Sequence, residues 1–149
     1  MRQKNIPILA IVALFSLMLY STPKVHAQCK IFVRNSCLPH LQPYIHDGGY
    51  QAVMMSPGEE AEVYKTIFAG QHYRLHICID NQLPGVEFIV SDIRRNILFD
   101  NRKNENVRFW DFKPEASQQI KVTIRIPKPQ GLNEEIYGCV GMLFGLLDR

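Results

Sequence analysis

Hydrophobic positions in this chain recur every second residue. Ile120, Val122, Ile124 and Ile126 alternate with Lys121, Thr123 and Arg125, the pattern of a strand with one face buried and one in water. Tyr73, Leu75, Ile77 and Ile79 repeat it against His72, Arg74, His76 and Cys78. Val86–Ile93 and Asn96–Phe99 are apolar runs separated by Arg94 and Arg95, which predicts a hairpin. Glu59–Phe68, Val107–Phe112 and Tyr137–Leu147 complete the set, with shorter strand candidates at Lys30–Val33 and Tyr50–Met54. Turn residues fall between the runs, as in Asp47-Gly48-Gly49, Ser56-Pro57-Gly58 and Leu83-Pro84-Gly85. Seven to nine short strands, without a long amphipathic helix or a strand–helix–strand alternation, predict an all-β antiparallel sandwich or barrel.

The N-terminus breaks this pattern. Arg2 and Lys4 precede a nearly uninterrupted apolar run from Ile8 to Tyr20, and Ser21–Ala27 follows with small residues before Gln28. This order predicts a signal peptide over residues 1–27, cleaved after Ala27. The apolar run is too short for a membrane span of ~20 residues. Pro23 is expected to stop any helix and leave the cleavage site extended. A single domain is then expected over residues 28–149, secreted or periplasmic.

Cleavage changes the charge. The full chain has 17 Lys+Arg against 14 Asp+Glu, a formal charge of +3. Residues 1–27 hold three of the basic groups, Arg2, Lys4 and Lys24, and no acid. The mature chain is thus neutral, and the attraction to polyanions that +3 suggests is lost, which argues against a nucleic-acid partner. The apolar stretch Gly138–Leu147 is about half a membrane span, and its glycines fit a buried last strand with close backbone approach. No transmembrane span is expected in the mature chain.

Four cysteines, Cys29, Cys37, Cys78 and Cys139, lie in the expected mature part. An even number in an oxidising compartment predicts two disulfides, with three possible connectivities. The reading favours Cys29–Cys37 with Cys78–Cys139.

Chemistry-bearing motifs are sparse. No G-x-S-x-G, H-E-x-x-H, phosphate loop or G-x-G-x-x-G occurs. His72, His76 and Cys78 share a face of a strand, but the two histidines stand about 13 Å apart there, too far for one ion. Asp92, Asp100 and Asp111, with Asp80-Asn81 and Asn101, offer oxygens for Ca²⁺, yet the same residues are what turns require. No catalytic residue, metal or cofactor is assigned. Trp110, within Phe109-Trp110-Asp111-Phe112, is a candidate ligand-stacking ring. Arg94 and Arg95 join it as a candidate ligand surface, with nearby acids making a mixed-charge rim.

Gly70-Gln71-His72-Tyr73-Arg74-Leu75, Val86–Asp92 and Ile97–Asn101 together resemble the jelly-roll β-sandwich of bacterial pre-peptidase C-terminal domains. The whole mature chain is also similar to small exported proteins of Bacteroidota. That likeness rests on Cys29–Val33, Pro43-Tyr44-Ile45-His46, Trp110-Asp111-Phe112 and Gly138-Cys139-Val140. The resemblance implies a jelly roll, but a role as a protease appendage is not carried over, since no protease accompanies it. The expected function is an exported, non-enzymatic module binding a protein or glycan of the cell envelope. A structural or assembly subunit of an envelope complex is the alternative, and a small secreted hydrolase ranks third.

Overall fold

Strand alternation builds the whole molecule, as seen in a computed structural model that describes residues 25–131 and 136–147. The strands are β1 (Ile45–Met55), β2 (Glu60–Ile67), β3 (Tyr73–Ile79), β4 (Glu87–Asp92), β5 (Ile97–Asp100), β6 (Phe109–Phe112), β7 (Gln118–Arg125) and β8 (Gly138–Leu146). They form two four-stranded sheets of order β1-β8-β3-β6 and β2-β7-β4-β5, and every neighbouring pair is antiparallel. This interleaved order is that of a jelly roll. The expected all-β sandwich is therefore present, with strand runs close to those read from the sequence.

The core lies between the sheets. Leu75, Ile77, Phe88, Val90, Ile120, Val122, Ile124 and Phe144 are almost completely buried there. The two alternating segments supply opposite walls: β3 inserts Tyr73, Leu75, Ile77 and Ile79, and β7 inserts Ile120, Val122 and Ile124. β8 is buried on both faces, which accounts for its continuous apolar sequence.

The second face of β8 is covered by the segment before β1. A helix, α1 (Val25–Phe32), runs into a π-helical turn (Val33–Cys37) and a 3-10 turn (Leu38–Leu41). The expected strand at Lys30–Val33 is thus helical. Cys29, Val33, Cys37 and Leu41 are all buried and recur every four residues. A four-residue step exceeds the 3.6 of an α-helix, and the wider π-helical turn keeps these side chains on one stripe. Val33, Cys37 and Leu41 of that stripe join Cys78 and Leu143 in a second, smaller core on the outside of the sheet. Gly141 and Gly145 let the stripe approach: a Cβ on Gly145 would sit 2.7 Å from the Tyr44 Cβ, and one on Gly141 would run into Val33.

Two disulfides pin this segment down, Cys29–Cys139 to β8 and Cys37–Cys78 to β3, with Cα separations of 5.1 and 5.9 Å. The favoured pairing of Cys29 with Cys37 and Cys78 with Cys139 is therefore corrected. Helical rise over eight residues holds Cys29 and Cys37 about 12 Å apart. Cys78 faces Gly141 across the β3–β8 ladder. Cys139 is thus a diagonal neighbour of Cys78, roughly 7–8 Å away, beyond disulfide reach.

Residues 1–24, most of the expected signal peptide, lie outside the described residues. Val25–Ala27 begin α1, so the backbone from Val25 up to the expected cleavage site is helical rather than extended. A proline ahead of the first turn leaves the helix that follows it intact.

Candidate functional site

Two features of the surface carry chemistry, and the first is the β4–β5 hairpin that bears Arg94 and Arg95. Its turn is locked by one carboxylate. Asp92 Oδ1 accepts hydrogen bonds from the backbone N–H groups of Arg94 and Asn96, both at 2.8 Å, and Oδ2 accepts one from Asn96 Nδ2 at 2.8 Å. The Arg95 N–H closes the turn on the Asp92 carbonyl at 3.0 Å, with Arg95 itself at φ 69°. Hydrogen bonding by Asn96 holds the Asp92 carboxyl below its ordinary pKa. The rigid tip presents Ile93 at 71% exposure and Ile97 at 58%. Among the described residues neither Arg94 nor Arg95 joins a salt bridge.

Trp110 lies elsewhere. It faces inward from β6, opposite Leu75 in register, and packs against the main core. Phe112 stacks on it at 4.0 Å between ring centroids and Phe99 at 5.3 Å, with interplanar angles of 12° and 20°. The indole therefore serves an aromatic ladder that joins the edge strands β5 and β6 of the two sheets. Phe109 is the ring that points outward, as strand alternation requires of its neighbour. No contact brings Trp110 together with Arg94 or Arg95 among the described residues.

The aspartates are structural. Asp100 is buried and takes Arg102 Nε at 2.9 Å and a second guanidinium nitrogen at 2.7 Å, which lowers its pKa. Asn101, fully buried, accepts from the Phe88 N–H at 2.8 Å and donates to the Val86 carbonyl at 3.0 Å. It thereby completes hydrogen bonds that no strand supplies at the start of β4. Asp111 on β6 holds Arg74 on β3 by two hydrogen bonds of 2.6 Å.

The second feature is a cleft of about 600 Å³ on the outer face of the β1-β8-β3-β6 sheet, between the N-terminal helical segment and the β3–β6 edge. Phe32, His40, Arg74, His76, Arg108 and Phe109 are among its walls. Arg74 is clamped: besides Asp111 it donates to the Gln42 carbonyl at 3.1 Å. Its guanidinium also lies 4.4 Å from the Tyr44 ring centroid and 4.9 Å from that of Phe109. His76 is only 8% exposed and its Nδ1 is buried without a hydrogen-bond partner. Burial, then the neighbouring His40, Arg74 and Arg108, push the His76 pKa down to about 4, so the ring is neutral at physiological pH. Cys78, paired with Cys37, also lines the cleft.

Sequence reasoning placed His76 on the wet face of its strand, because nothing in β3 itself reveals that α1 and the following turns cover that face. The four-residue recurrence of Cys29, Val33, Cys37 and Leu41 is the signal that could have shown it.

No protein-family model matches the chain, and no curated protein matches it. A solved structure with some likeness is that of PliG from Aeromonas hydrophila, a periplasmic inhibitor of g-type lysozyme. The match has a TM-score of 0.45 at 11% identity and covers 64% of this chain and 84% of that one.

Proposed function

We propose that this chain is an exported, non-enzymatic β-sandwich that binds an acidic protein surface through the tip of its β4–β5 hairpin. The observation that carries the reading is a backbone locked by Asp92 that displays Ile93 and Ile97 beside two arginines without salt-bridge partners. Large apolar side chains on a preorganised turn, flanked by cations, are what a protein partner rewards: apolar area is buried at little cost in ordering. The arginines add steering toward an acidic surface. A glycan would want an open aromatic face, and two rings already stack on Trp110.

Two features support export. Both disulfides bring together distant cysteines, as befits an oxidising compartment, and the basic-then-apolar N-terminus reads as a signal peptide.

The test compares the native protein with Arg94→Glu/Arg95→Glu and with Ile93→Ser as baits against envelope extract. A partner captured by the native chain and lost from both variants, while their melting curves match the native one, supports the hairpin. Equal capture by all three, or binding to a glycan array that survives both variants, overturns it. Mass spectrometry of the mature protein should find Gln28 as the first residue. An intact Met1 in a cytoplasmic fraction would overturn export.

A further inference from the structure

We propose that the cleft between the N-terminal helical segment and the β3–β6 edge binds a carboxylate carried on an apolar body, with Arg108 as its charge partner and His76 as a hydrogen-bond donor. This site is separate from the hairpin tip and does not depend on it.

The charges in the cleft decide the class of ligand. Arg74 is spent, since Asp111 takes it by two hydrogen bonds and Gln42 by a third. Arg108 also lines the cleft and joins no salt bridge among the described residues. The remaining acid, Asp80, lies one residue past the end of β3 and four beyond His76, about 13 Å away at the rise of an extended chain, and its Oδ1 accepts from the Gln82 N–H. Near His76 there is therefore one uncompensated guanidinium, which suits a monoanion better than a phosphate dianion. Its planar fork matches a carboxylate.

His76 supplies the second contact. Its Nδ1 is shut off from solvent and has no acceptor, so the proton of the neutral ring belongs on Nε2, the nitrogen left for a ligand. Burial, with the guanidinium groups of Arg74 and Arg108 nearby, holds it neutral. A bound anion would offset those cations and raise the His76 pKa. Phe32 and Phe109 give the cleft apolar walls, and its volume lies within the ~300–1,000 Å³ usual for small-ligand sites. The carboxylate could belong to a free organic acid or to the C-terminus of a peptide, and one experiment separates them.

The experiment follows the His76 ring by NMR across pH while adding 3-phenylpropionate, a tripeptide ending in phenylalanine, the same tripeptide amidated, and inorganic phosphate, each at millimolar concentration. Binding of 3-phenylpropionate or the free-acid tripeptide should move the His76 resonances and raise its pKa above about 4. Arg108→Ala should weaken that binding by about tenfold. Preference for the free-acid tripeptide, lost on amidation, assigns a peptide terminus, and preference for 3-phenylpropionate assigns a small acid. No response to either carboxylate, an equal response in Arg108→Ala, or tighter binding of phosphate overturns the proposal. Matching melting curves of the native chain and Arg108→Ala check that any loss is not general unfolding of the cleft.

Discussion

Val33 occupies the space that a Cβ on Gly141 would need. The Cys78 and Cys37 sulfurs stand 3.3 and 3.4 Å from the same point, so neither side can give way without moving a disulfide. Gly141→Ala should therefore destabilise the protein by about 1–3 kcal/mol through overpacking. The denaturation midpoint in urea, measured without reductant, reads this directly, and an unchanged midpoint would show that the π-helical turn is not seated on β8 as described.

The disulfide pairing is checked by proteolysis and mass mapping without reductant. Peptides holding Cys29 and Cys139 should travel together, and so should those holding Cys37 and Cys78. Replacing Cys37 and Cys78 together by serine should cost roughly 4 kcal/mol in the chain-entropy account of a loop spanning 41 residues. Recovery of a Cys29–Cys37 peptide would contradict the fold of the N-terminal segment.

His76 predicts an acid-sensitive stability. Its pKa in the folded protein is about 4, against 6.5 when exposed. The unfolded chain therefore takes up the proton first as pH falls. Stability held above pH 6.5 declines between 6.5 and 4 and levels off below, by on the order of 3 kcal/mol in all. The difference in stability between the native chain and His76→Gln, followed from pH 7 to pH 4, should show that slope. A flat difference would place His76 in water.

Asn101→Ala removes the partners of the Phe88 N–H and the Val86 carbonyl in a site with no room for bulk water. The cost should be roughly 2–4 kcal/mol. The Phe88 amide should also lose much of its protection from hydrogen exchange, a local signature that general destabilisation would not concentrate at one residue.

The sandwich was legible because its strands have one wet and one dry face, and β3 and β7 spell that out residue by residue. β8 was legible for the opposite reason, an unbroken apolar run that only a doubly covered strand tolerates. The N-terminal segment was not. Ile31 and Val33 are β-branched and favour a strand locally, while the face that decides their conformation is supplied by Gly141 and Gly145, more than a hundred residues away. The same long-range packing buries His76 and creates the cleft, so a residue that looks solvent-facing in its own strand becomes one whose pKa burial pushes down to about 4. The stacking of Trp110 was hidden for a simpler reason. Its stacking partners Phe99 and Phe112 come from facing edges of two sheets, and only the sandwich geometry brings three rings into one stack.

The two cross-links are nested, the Cys37–Cys78 bond lying wholly inside the span of Cys29–Cys139. Every peptide bond from Cys29 to Cys139 thus belongs to a closed covalent ring. A protease that cuts any one loop between them, the hairpin tip included, opens the ring without releasing a fragment. The nicked molecule keeps both halves of the sandwich at each other's side, so that a cut in an exposed turn does not cost the domain.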